Sequence, residues 1–135
     1  MSKPTLFVVL DIETTLRKRI AFDVAWTTTD RKGGDFGSGS FVIREAFAHD
    51  VPFFKEKLGH YFDDAFARVI TPATIEEVRD TFNAQINALA DAGHRVILSA
   101  YNAAFDFTWL PHTLRVITGD EQARFLDRPF DLLDI

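Results

Sequence analysis

The sequence predicts one α/β domain built on a mixed sheet. Three observations predict it: a strand at residues 6–10 that is apolar on both faces, two further strand-like runs joined by a Gly-Gly turn, and a segment of helical period that leads into a second buried strand. With 135 residues, 47% of them hydrophobic and fourteen of them Phe, the chain has the material for one core and too little length for two. It contains no internal repeat, linker or low-complexity segment.

The elements follow in order. Leu6, Val8 and Leu10 alternate with Phe7 and Val9, the pattern of a central strand in a covered sheet. Residues 19–29 have strand character through Ile20, Phe22, Val24 and Trp26, and Asp30-Arg31-Lys32-Gly33-Gly34 is a turn. Residues 36–44 then return as an antiparallel partner, completing a three-strand meander. The Phe-rich stretch 50–70 reads as helical, with Pro52 near its start. Thr74 followed by Glu77 forms a capping box, after which Ile75, Val78, Phe82, Ile86 and Leu89 recur at helical spacing and Gly93 marks the stop. His94 to Ala100 is a second buried strand. Residues after Asp106 are helical, with a kink or division expected at Pro111 because proline lacks a backbone donor, and Gly119 ends the second piece. The run from Phe130 to Ile135 begins a fifth strand.

Composition narrows the chemistry. Cysteine is absent, so disulfides and thiolate metal sites are excluded and only hard-ligand chemistry remains. No signal peptide or membrane-length apolar run occurs, which points to the cytoplasm and away from a membrane partner. A net charge of −5 argues against a general nucleic-acid coat.

The first strand runs directly into Asp11-Ile12-Glu13-Thr14-Thr15. Side chains alternate along a strand, so Asp11 and Glu13 share one face about 7 Å apart. Two carboxylates on such a ledge repel each other, and an oxygen-only pair suits magnesium or manganese. The second buried strand delivers Asn102-Ala103-Ala104-Phe105-Asp106 to the start of the following helix.

These two segments, in this order and on these element types, resemble the first and second motifs of the DEDD superfamily of 3′→5′ exonucleases, which includes the proofreading subunit of bacterial replicative polymerases, ribonuclease T and oligoribonuclease. The likeness is greatest to proofreading-type members of bacteria and their phages. The resemblance implies a ribonuclease-H-like fold, consistent with the strand-strand-strand-helix-strand-helix-strand order. It also implies a metal-dependent enzyme that hydrolyses phosphodiester bonds at 3′ ends of single-stranded DNA or RNA. Two divalent ions, Mg2+ or Mn2+, about 4 Å apart would grip the scissile phosphate. Asp11 would bridge both ions, Glu13 would hold one, and Asp106 would complete the other side. Thr14 and Thr15 would position the terminal nucleotide, Asn102 would orient the turn that carries Asp106, and Phe105 would pack beneath the site or against substrate. An acidic active site of this kind needs only local basic contacts. A DNA polymerase is an implied partner.

Two departures from the family pattern stand out. Leu16 replaces the usual glycine after the threonine pair and is a candidate wedge between terminal bases. Arg17-Lys18-Arg19 follows it, and reads equally as a set of phosphate contacts or as a solvated loop. The third motif, a His or Tyr four or five residues before a final Asp, has no counterpart after Asp106. His49, His60, His94 and His112 stand at positions unsuited to that role. Asp131 and Asp134, on a fifth strand outside the 94–100 strand, would lie about 10 Å from Asp11, too far to ligate a metal there.

The sequence also ends in an apolar strand with nothing over it. The expectation is therefore the N-terminal part of a longer exonuclease, truncated after the fifth strand, weakly active or inactive as it stands and prone to self-association through that strand. Two other classes remain: a noncatalytic nucleic-acid-binding module of the same fold, and a protein-interaction domain in which the acids are incidental. The aromatic segment from Val51 to Phe66 could dock a partner or stack bases, with core packing the commoner use of such residues.

Overall fold

The computed structural model describes residues 3–57 and 71–135. Strands β1 (Leu6–Thr14), β2 (Ala21–Thr29) and β3 (Asp35–Ile43) form the antiparallel meander. Two short helices follow, α1 (Ala46–His49) and α2 (Val51–Lys57), and then strand β4 (Thr71–Ala73). Helix α3 (Ile75–Asp91) leads to β5 (Val96–Ala100), and helix α4 (Ala103–Thr118) leads towards β6 (Asp131–Asp134). The strands lie in the order β4-β3-β2-β1-β5-β6. β1 pairs antiparallel with β2 and parallel with β5, and β6 extends the parallel half. The result is an α/β fold on a mixed six-stranded sheet.

The sheet has one strand more than the five read from sequence. β4 pairs parallel with β3 through Phe41–Thr71, Val42–Pro72 and Ile43–Ala73. Three residues containing a proline carry no alternation, and proline is tolerated there because β4 is an edge strand. The helical reading of residues 50–70 is met by α2 as far as Lys57, and its remainder, with His60 and Phe66, lies outside the described residues.

The turn between β2 and β3 is built by Asp30, whose Oδ1 accepts from Lys32 N at 3.0 Å and Gly34 N at 2.9 Å. Gly33 between them takes a left-handed φ of 82°. Leu6, Val8, Leu10 and Ile12 of β1 are buried, while Phe7 and Val9 on the opposite face are half-buried. The buried face of α3 supplies Ile75, Val78, Phe82 and Ile86 to the same core. Trp26 meets Phe82 edge to face at 5.1 Å, and its indole N–H donates to Gln85 Oε1 at 2.9 Å. Gly39 makes room for that indole: a Cβ at position 39 would lie 2.3 Å from the ring.

Helix α3 begins as its sequence predicts, with Thr74 Oγ1 accepting from Glu77 N at 3.1 Å. Glu45 adds a second cap from outside the helix, accepting from Ile75 N at 2.9 Å. Helix α4 departs from expectation, because it runs unbroken through Pro111 to a left-handed C-cap at Gly119. Leu110 and Leu114, buried on either side of the proline, hold both halves in the core, and the Thr113 hydroxyl donates to Trp109 O at 2.7 Å across the interrupted turn. That packing outweighs the one backbone hydrogen bond that proline removes.

Candidate functional site

Strand β1 presents the two acids as its alternation requires. Leu10 and Ile12 point into the core, and Asp11 and Glu13 are exposed on the other side of the strand. Asp11 stands opposite Ala25 of β2 and Glu13 opposite Asp23, and the register shifts between Glu13 and Thr14. The regular pairing of β1 with β2 is thus interrupted immediately after the second acid.

The turn that follows is tied at both ends. Thr15 is fully buried; its N–H donates to Ile20 O at 3.0 Å and its Oγ1 accepts from Ile20 N at 3.1 Å. Ala21 N donates to Thr113 Oγ1 at 2.8 Å, fastening the turn to α4. Thr14 is half-buried. Arg19 adopts a left-handed φ of 54°, and its guanidinium lies 5.6 Å over the half-buried ring of Phe105. Leu16 is 60% exposed, Arg17 and Lys18 are exposed, and Lys18 Nζ donates to His49 O at 3.3 Å. Leu16 and Arg17 form one wall of a groove whose other wall is Pro52, Phe53 and Lys57 of α2.

Asp106 comes to this end of β1 from the first turn of α4. β1 and β5 pair as far as Val9 and Ser99, and beyond that point Asp106 Oδ2 accepts from Ile12 N at 3.1 Å, supplying the acceptor that β5 no longer offers. The side chain is buried. Burial raises the pKa of its carboxyl above the ordinary value, the hydrogen bond from Ile12 N opposes that rise, and the charges of Asp11 and Glu13 add to it. Asn102 is exposed at the N-cap and its side chain caps nothing.

The structure thus brings Asp11, Glu13 and Asp106 together around the backbone of Ile12. Thr14 and Leu16 to Arg19 leave the same strand end, and Phe105 lies beneath Arg19. As donors the three carboxylates are all hard oxygens, which fits magnesium or manganese. Among the described residues, however, no three His, Cys, Asp or Glu side chains are grouped closely enough to hold an ion. One oxygen of Asp106 is engaged by Ile12 N, and binding three carboxylates to one cation requires them to draw closer.

Two of the histidines lie away from these acids. His94, at the opposite end of β5 from Asp106, has Nδ1 2.8 Å from Pro4 O and stacks edge to face on Phe36. His112 packs against Trp109, almost two turns along α4 from Asp106. His60 lies outside the described residues.

Two acids near the site were not read from the sequence as neighbours of it. Asp23 faces Glu13 across β1 and β2, which only the strand register reveals. Asp134, at the end of β6, accepts from Ala103 N at 2.7 Å and so caps the helix that carries Asp106. Asp131 pairs instead with Arg95 at 3.1 Å.

No family model matches this chain, and no curated protein is similar to it at a significant level. No helix among the described residues is long and apolar enough to cross a membrane.

Proposed function

We propose that the chain is a metal-dependent 3′→5′ exonuclease domain of ribonuclease-H-like fold, acting on 3′ ends of single-stranded DNA or RNA. The observation that carries this reading is the contact between Asp106 and the backbone of Ile12, which seats a helix-borne carboxylate between the two acids of β1. The sheet is compatible with it: an antiparallel meander followed by parallel strands, with the acids at the end of the central strand.

In this reading Asp11, Glu13 and Asp106 would hold two divalent cations, Mg2+ or Mn2+. Bound there, such a pair would supply Lewis-acid activation of water and charge stabilisation for the leaving 3′ oxygen. Burial, with the charges of Asp11 and Glu13, raises the pKa of Asp106, and bound cations would offset that rise. Thr14 faces the terminal nucleotide, and Thr15, buried and bonded to Ile20 through its N–H and its hydroxyl, holds the turn that presents it. Leu16 inserts beside its base, Arg17 meets a phosphate, Asn102 presents its amide, and Phe105 supports the turn through Arg19. The reading extends to a DNA polymerase as the partner that leaves the 3′ ends to be trimmed.

A second reading is favoured by the absence of a three-carboxylate group among the described residues: a noncatalytic module that keeps the fold and binds single strands. Digestion of a 5′-labelled single-stranded DNA in Mg2+ and in Mn2+, with Asp11→Ala as control, tests the two. A ladder of shortened products that is lost in the variant supports the exonuclease. Retained binding of the same DNA with no cleavage in either metal supports the module.

A further inference from the structure

Asp106 occupies its place only while the first turn of α4 keeps its position, and that turn lacks the usual cap. Asn102 stands at the N-cap with φ −141° and ψ 80°, and its side chain accepts no hydrogen bond from the helix. The first helical amide, Ala103 N, donates instead to Asp134 Oδ1 at 2.7 Å. Asp134 is held in turn by β6, whose register pairs it with Ala100, and Ile135 N donates to Ala100 O at 3.0 Å immediately beyond it. A negative charge at a helix N-terminus is also favoured by the helix dipole.

From this arrangement we infer that Asp134 is a positioning residue for Asp106: it caps α4 from the neighbouring strand and thereby fixes the Asp106 carboxylate against Ile12 N. The link runs from Asp134 to Ala103 N, through one helical turn to Asp106, and from Asp106 Oδ2 to the β1 backbone between Asp11 and Glu13. A cap supplied from β6 has a second effect, because it leaves the exposed amide of Asn102 free to meet a ligand. For catalysis the inference rests on the exonuclease reading, but the geometric link does not, and the two are tested separately.

The experiment is amide hydrogen exchange by NMR on the whole chain, comparing the unmodified protein with Asp134→Ala and Asp134→Asn. Loss of one capping bond should accelerate exchange at Ala103 roughly tenfold, and a linked Asp106 should carry a similar acceleration to Ile12. Phe82, buried in α3, serves as the reference and should not change. Asp134→Asn retains an acceptor oxygen and should restore protection at both amides.

Three results would overturn the inference: Ile12 unchanged in Asp134→Ala, no rescue by Asp134→Asn, or equal acceleration at Phe82. Where the unmodified chain cleaves DNA, Asp134→Ala should lower kcat severalfold with KM unchanged, and Asp134→Asn should recover it. Where the unmodified chain does not cleave, the exchange result alone decides the inference.

Discussion

The amide of Ile12 donates to Asp106 Oδ2 at 3.1 Å across 94 positions of sequence. The contact joins the central strand to the start of α4 at the point where strand pairing runs out, and it places the buried carboxylate beside two exposed ones. Its energetic character is mixed. The hydrogen bond satisfies a buried amide, whereas burial and the neighbouring charges oppose ionisation of the group that accepts it.

Substitutions at Asp106 should separate these effects. Asp106→Ala leaves Ile12 N without its acceptor and should cost about 1–3 kcal/mol in urea unfolding at neutral pH. Asp106→Asn keeps an acceptor oxygen and removes the disfavoured charge, so its stability should equal or exceed that of the unmodified chain. Both should abolish cleavage and weaken metal binding.

The pH dependence of stability follows from the direction of the Asp106 shift. Its pKa is higher in the folded chain than when unfolded, so the folded state binds the proton more tightly. This group's contribution is therefore fully present below the ordinary carboxylate pKa and is lost as the pH rises through the raised value. In Asp106→Asn that falling component should vanish. Unfolding midpoints measured in both proteins from acid to neutral pH would show the difference curve descending across this window.

Gly39 is predicted to be intolerant of substitution. A methyl group there would lie 2.3 Å from the Trp26 ring, which is pinned by its hydrogen bond to Gln85 and by Phe82. Gly39→Ala should destabilise by about 1–3 kcal/mol and shift the tryptophan fluorescence, as expected when a packed core is forced apart.

Thr28 gives a prediction of the opposite sign. Its Oγ1 is buried and has no hydrogen-bond partner among the described residues. Thr28→Val removes the unsatisfied hydroxyl at nearly constant shape and should stabilise by about 1 kcal/mol in the same unfolding assay.

Local rules made much of the fold legible. Alternation in Leu6 to Leu10 predicted a central strand and placed Asp11 and Glu13 on one face, and Thr74, Gly93 and Gly119 marked helix ends through capping and left-handed backbone. Residues whose roles depend on distant partners were not legible. β4 exists through its pairing with β3, and α4 crosses Pro111 because Leu110 and Leu114 are buried in the core. Thr15 could be placed next to Glu13 from sequence, but its burial and its bonds to Ile20 could not. The resemblance gave Asn102 the task of orienting the turn that carries Asp106, and nothing in the sequence marked Asp134, 31 positions beyond Ala103, as the cap of that helix. Asp23 reaches the acids only through strand register.

The central claim is that Asp11, Glu13 and Asp106 act as one site for hard divalent cations. Manganese titration followed by paramagnetic broadening of the backbone amides tests it most directly, with Asp11→Asn, Glu13→Gln and Asp106→Asn as comparisons. The account predicts saturable broadening centred on Ile12 and Asp106, with each substitution weakening binding tenfold or more, about 1.4 kcal/mol or greater. Broadening that is absent, centred elsewhere, or unchanged by all three substitutions would contradict it.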